Sequence, residues 1–230
     1  MGDPIDALAE TGFRWRNCQA LLYNEKRSDI FPAPFLYRLY ERTVDSGHGA
    51  LRALFCGAPD LSNCDAVCRF LRYRSVCVMG VWQDTDGERH FRDLGYAFLS
   101  FPITRTSAST QENPQNSGFA GYMFFPDAWG TGEQTVCMVL ALAWFFHRYK
   151  MIAIHGTRYS DNHLTARFTS RFGFKDDFTV PHCLLRSPDE PLQSATLATL
   201  LRVDFIALAP GLLSNSGEES VYGRRQRWSQ

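Results

Sequence analysis

Along residues 119–174 the spacing of apolar positions changes character several times, and each change marks an element. Residues 119–125, FAGYMFF, read as a strand that stops at Pro126. A short loop carries Gly130-x-Gly132, and an apolar helix begins at once and runs to about Tyr149. Residues 151–157 return to extended character, and 162–172 read as a second helix closed by Gly173. Upstream, 35–56 reads as two helical segments interrupted around Ser46-Gly47-His48-Gly49, and a short helix follows Asn63. Residues 75–83 and 91–101 are strands joined by the turn chemistry of Asp84-Thr85-Asp86-Gly87, which predicts an antiparallel hairpin. The polar stretch 104–118 reads as a surface loop. Further on, 178–186 and 200–208 are strand candidates, and 214–230 is a polar tail whose Arg224, Arg225 and Arg227 read as solvated. Residues 1–213 are expected to form one domain with an N-terminal extension.

Composition adds constraints. The 230 residues are 45% hydrophobic and carry 24 basic against 24 acidic side chains, which suits a globular chain and supports no nucleic-acid footprint. The longest apolar run, residues 136–146, is too short to cross a bilayer, and the N-terminus lacks the features of a secretory signal, so a cytoplasmic protein without membrane partners is expected. Seven cysteines without a Cys-x-x-Cys read as reduced thiols, and neither they nor the histidines form a metal set. The 18 Phe, 9 Tyr and 5 Trp demand a large core or a broad apolar cleft.

The chemistry concentrates at Gly130-Thr131-Gly132. Glycines allow close backbone approach, and the first N–H groups of the following helix have no helical partner, which suits a phosphate. A Walker loop is excluded because Glu133-Gln134 follows where Lys-Ser/Thr is needed, and a dinucleotide fingerprint because Thr135 replaces its third glycine.

The stretch Phe125-Pro126-Asp127-Ala128-Trp129-Gly130-Thr131-Gly132, followed by Asn162-His163-Leu164-Thr165 and Arg171-Phe172-Gly173-Phe174, resembles the acyl-CoA-binding core of the GCN5-related N-acetyltransferase superfamily. The likeness is strongest to the branch acting on ribosomal-protein N-termini and small amines. It implies an α/β (α+β) fold with a mixed, mostly antiparallel sheet flanked by helices. The family's fourth and fifth strands, here 119–125 and 151–157, should splay apart. It also implies acetyl-CoA as acyl donor, an amine acceptor (a small molecule or a peptide N-terminus), and direct N-acetyl transfer. The alternative is a catalytically weak CoA-binding or protein-interaction module on the same scaffold. Monomer and homodimer both stay open.

By the same resemblance, Phe124, Phe125, Ala128, Trp129, Gly130, Thr131, Gly132, Glu133 and Asn162 would hold the cofactor, with the amides of residues 128–133 on its pyrophosphate. Thr169 stands where many relatives carry the tyrosine that donates to the leaving thiolate, so the acid role falls to Tyr159 or to solvent. His155 is a base candidate that faces either the acceptor cleft or the core, because imidazole suits proton transfer near neutrality. Asp93 is a candidate contact for the amine. Glu133 reads mainly as a charge partner for the helix N-terminus. Tyr96 and Phe98 read as core or as lining of the acceptor cleft, and Trp129, Tyr122 and Phe124 mainly as packing residues.

Overall fold

The computed structural model describes residues 3–45, 63–72, 75–100, 117–184 and 191–215. The chain opens with helix α1 (Pro4–Glu10), capped by Asp3, whose carboxylate accepts from the Ile5 N–H at 2.9 Å. Two short strands follow, β1 (Arg14–Trp15) and β2 (Cys18–Leu22), then helices α2 (Phe35–Asp45) and α3 (Cys64–Arg72). Strands β3 (Ser75–Thr85) and β4 (Glu88–Ser100) form the expected hairpin. After β5 (Ser117–Phe124) comes a single 3₁₀ turn at Pro126–Ala128, then helix α4 (Gly132–Tyr149), strand β6 (Ala153–Tyr159) and helix α5 (His163–Ser170). Strands β7 (Lys175–Leu184) and β8 (Gln193–Leu201) and helix α6 (Arg202–Asn215) complete the described chain. The predicted helix over 51–56, residues 104–116 of the loop predicted over 104–118, and residues 216–230 lie outside the described residues; Ser117 and Gly118, expected in that loop, open β5.

All eight strands join one sheet in the order β1-β2-β3-β4-β5-β6-β8-β7, in which only β5 and β6 run parallel. The expected mixed, largely antiparallel sheet flanked by helices is present. Residues 1–34 had suggested no element, because β1 and β2 are too short and mixed in polarity for a period to emerge; pairing to β3 makes them strands.

Helix α4 is buried from Thr135 to Phe146. A helix apolar on every side needs cover on every side. It lies on the sheet, with α1 and α6 packed against it. Phe146 stacks on Phe205 of α6 at 5.4 Å between ring centroids. The other face of the sheet carries α2 and α3 over Val76, Val78, Tyr96, Phe98 and Phe125. Tyr96 and Phe98 are therefore core residues and do not line a cleft. The Tyr96 hydroxyl is paired with Thr43 at 2.9 Å. No described helix is long and apolar enough to cross a membrane.

The strand predicted over 200–208 is corrected. β8 ends at Leu201, and α6 buries Phe205, Ala209 and Leu213 on one side. Such a continuous apolar run fits either element until its packing surface is known, and here the four-residue spacing meets α4.

Strand β4 contains an irregularity that shapes the exit from β5. Its register on β3 jumps between Met79↔Gly95 and Gly80↔Asp93, leaving Leu94 as a bulge. The Leu94 carbonyl accepts from the Phe125 N–H at 2.9 Å, which carries the chain past the end of β5 into the turn. Gly95 is required by this close approach, since a Cβ there would overlap the Met123 carbonyl.

Candidate active site

Strands β5 and β6 pair over only three residues, Ser117↔Ala153, Gly118↔Ile154 and Phe119↔His155. Beyond this they part. Residues 120–124 stay bonded to β4, and 156–159 stay bonded to β8. Among the described residues no strand fills the split, so the facing edges present backbone donors and acceptors that a ladder would otherwise use. Ala120, Tyr122 and Phe124 face α4 and α5, and Tyr122 and Phe124 meet Phe168 of α5 at 5.8 and 5.9 Å.

The split leads to the turn before α4. Of the six amides expected to line a phosphate site, three close the turn: Ala128 N–H to Phe125 O at 2.9 Å, Trp129 to Pro126 at 3.2 Å, and Thr131 to Ala128 at 3.4 Å. The N–H groups of Gly130, Gly132 and Glu133 find no acceptor among the described residues. Gly130 adopts φ +72°, and a Cβ built on it would meet nothing within 4 Å, so the loop is open on that side. Thr131 caps α4 by accepting from the Gln134 N–H at 3.4 Å. Trp129, expected to be packed, is 58% exposed; its indole N–H donates to the Phe124 carbonyl at 2.9 Å and closes that end of β5.

A charged network borders the same turn. Arg42 of α2 reaches Asp93 at 2.6 Å and Asp127 at 3.0 Å, with its guanidinium 3.7 Å over the Phe125 ring. Arg92 joins Asp127 at 3.1 Å and Glu133 at 3.6 Å. The Asp93 carboxylate is paired with Arg42, which ties α2 to β4. Arg42 and Arg92 escaped the sequence reading because their partners are distant in the chain. Glu133 has Arg92 as its charge partner as well as its place in the first turn of α4.

His155 stands at the last β5–β6 pair, where the split begins. Its ring lies 5.4 Å from that of Phe119, and Nδ1 is 2.7 Å from the Thr199 hydroxyl. That hydroxyl donates its only proton to Asp177 Oδ2 at 2.5 Å. Thr199 must therefore accept from His155, so Nδ1 carries a hydrogen, and in the neutral ring Nε2 is the nitrogen with the lone pair. Three strands supply this relay. Tyr159 is buried at the other end of the split, four residues from His155.

Asn162 caps α5, accepting from the Thr165 N–H at 3.0 Å. Replacing it with alanine should cost about 1 kcal/mol of stability in a denaturant titration, and Asn162→Ser should restore most of that. If the serine variant is as unstable as the alanine variant, the cap is not what Asn162 contributes. The Thr169 hydroxyl donates back to its own helix, at 2.9 Å to Thr165 O and 3.3 Å to Ala166 O. Tyr122, on the β5 edge of the split, has its hydroxyl bonded to the Thr165 side chain, and burial raises its pKa above the usual phenol value. Sequence reasoning had read Tyr122 mainly as packing.

Comparison with models of known protein families finds no match, nor does comparison with curated protein sequences. Solved structures do match. RimJ of Mycobacterium smegmatis, in complex with CoA-disulfide, is 16% identical over 87% of this chain and 89% of its own, with a TM-score of 0.56. Ribosomal-protein-S5-alanine acetyltransferase of Vibrio fischeri is 14% identical over 84% and 97%, also at 0.56. Spermidine N-acetyltransferase of Vibrio cholerae, in complex with CoA and spermine, is 12% identical over 83% and 98%, at 0.57. With the sheet order, the split pair of parallel strands and the glycine turn before α4, these likenesses identify the fold of the chain as that of the GCN5-related N-acetyltransferase superfamily.

Proposed function

We propose that this protein transfers an acetyl group from acetyl-CoA to an amine. The observation that carries this reading is the β5–β6 split running into a turn with three N–H groups that have no acceptor among the described residues. An extended amide-bearing chain fits such a split as an added strand, and a pyrophosphate fits the end of α4. Phe124, Phe125, Ala128, Trp129 and Thr131 build the turn; Gly130, Gly132 and Glu133 offer the amides; Asn162 fixes α5 over the split.

Bound there, acetyl-CoA would supply an activated thioester. The chain's contribution is then positioning and proton handling. His155 Nε2, with its lone pair held outward by Thr199 and Asp177, takes the proton that an attacking amine must lose. Tyr122 Oη, kept protonated by its burial, holds a proton beside the split for the leaving sulfur, in place of the hydroxyl that Thr169 turns inward. Tyr159, buried at the far end, shapes the split.

Acceptors are amines, either small polyamines or peptide N-termini, by analogy with the proteins of similar fold. A second reading, a scaffold that binds CoA without transfer, is favoured by one observation, the inward bond of Thr169. The deciding experiment is acetyl transfer, corrected for thioester hydrolysis, across ribosomal-protein N-terminal peptides and polyamines. Turnover on any of them above the hydrolytic background is expected. Binding of acetyl-CoA with no turnover across the panel favours the scaffold, and no binding at all removes both readings.

A further inference from the structure

Arg158 is hard to explain as a structural residue. Its side chain is only 9% exposed, and its one ion pair runs from Nη2 to Asp176 at 2.6 Å, a carboxylate that is itself 58% exposed. Its Nε and Nη1 are buried without a hydrogen-bond partner among the described residues. A buried guanidinium with two unpaired donor nitrogens is costly, and an apolar side chain of similar volume would fill the same space without that cost.

Its place in the fold suggests what completes it. Arg158 lies in the part of β6 that has left β5. Continuing the register of the three paired residues across the split sets Arg158 opposite Tyr122, on the side covered by α5. Its charge is felt by the Tyr122 phenol, so the two groups are near each other although no hydrogen bond joins their strands here. The opposite positions on the other side of the split, Gly121 and Thr157, carry no charge. The charge in this stretch of the split therefore lies on the α5 side.

We propose that Arg158 anchors an oxygen-acceptor subsite on the α5 side of the split, taking a carbonyl or carboxylate oxygen from the chain of an acyl thioester. This rests on the CoA-dependent reading above. Guanidinium N–H groups accept nothing, so their partner must bring lone pairs, and an acetyl methyl has none. Three sources offer such oxygen: the amide carbonyls of the pantetheine arm, present in CoA and all its thioesters, the thioester carbonyl, and the terminal carboxylate of a dicarboxylic acyl group. The first two make Arg158 a residue for any acyl-CoA. The third makes it a determinant of acyl-group specificity.

Calorimetric titration of the full chain with CoA, acetyl-CoA, succinyl-CoA and the nucleotide half of CoA alone separates these. If the unaltered protein binds no CoA, the functional reading itself fails. If it does, Arg158→Met should weaken at least succinyl-CoA about tenfold or more while leaving the nucleotide half unaffected, and Arg158→Lys should recover part of the loss. An equal loss for CoA, acetyl-CoA and succinyl-CoA assigns the subsite to the arm; an equal loss for the two thioesters with CoA unchanged assigns it to the thioester carbonyl; a loss about tenfold larger for succinyl-CoA than for the other two assigns it to the carboxylate. Arg158→Gln gives the same comparison if the methionine variant does not fold. Unchanged affinity for all the thioesters, or an equal loss for the nucleotide half, overturns the proposal.

Discussion

Replacing His155 with glutamine should lower kcat for acetyl transfer roughly 100- to 1,000-fold while leaving acetyl-CoA affinity nearly unchanged, as expected for loss of a positioned base. The argument rests on the imidazole's tautomer. Thr199 has one proton and spends it on Asp177, which forces Nδ1 to donate and frees Nε2. Thr199→Val should then reduce kcat by a smaller factor, because the imidazole remains but loses its orientation, and Thr199→Ser should recover most of it. Nitrogen chemical shifts of His155 give an independent check: the neutral ring should show Nδ1 protonated in the unaltered protein and a mixture in the valine variant. If His155→Gln keeps full kcat, the imidazole is only a cross-strand partner of Thr199 and the base lies elsewhere.

Gly132→Val should raise the dissociation constant of CoA by about tenfold or more, a loss of roughly 1.4 kcal/mol or greater. Gly132 is the first residue of α4, and its N–H, with those of Gly130 and Glu133, is uncommitted. A branched side chain at this position crowds the approach to those amides without removing any intrahelical bond, because first-turn N–H groups have none. The β3–β4 hairpin borders this turn through Arg92, but its own ladder does not involve Gly132 and should stay folded. Calorimetry for affinity and thermal unfolding for the fold would be measured together. Unchanged affinity in a normally folded variant means that the pyrophosphate does not lie at this turn.

The two effects bear on different parts of one site, and they differ in how visible they are in the chain. The glycine turn is local. A strand ended by Pro126, glycines at 130 and 132 and an apolar run from Val136 lie within a short stretch, and neighbouring residues decide their geometry among themselves. Asn162 likewise acts on an N–H three residues ahead. The His155 relay is the opposite case. It joins strands β6, β8 and β7, and the bulge between Asp176 and Phe178 lets Asp177 reach Thr199. Nothing near His155 in the chain announces either partner.

Asp93 makes the same point from the other direction. As a residue type on a strand it looked available for an amine, and only the arrival of Arg42 from α2 shows its charge already matched. Arg158, by contrast, is conspicuous through a partner it lacks. An arginine in a strand reads as a surface residue until the sheet and α5 enclose it and leave two nitrogens unpaired.

By itself, then, the sequence determined the strand–turn–helix unit, the capped α5 and the family likeness, because periodicity, capping and glycine geometry act over a few residues. Tertiary structure decided the tautomer of His155, the pairing of Asp93, the helical state of 202–215 and the enclosure of Arg158. Each of those depends on which distant group arrives within hydrogen-bonding or packing distance, and that is set by sheet order rather than by any local pattern.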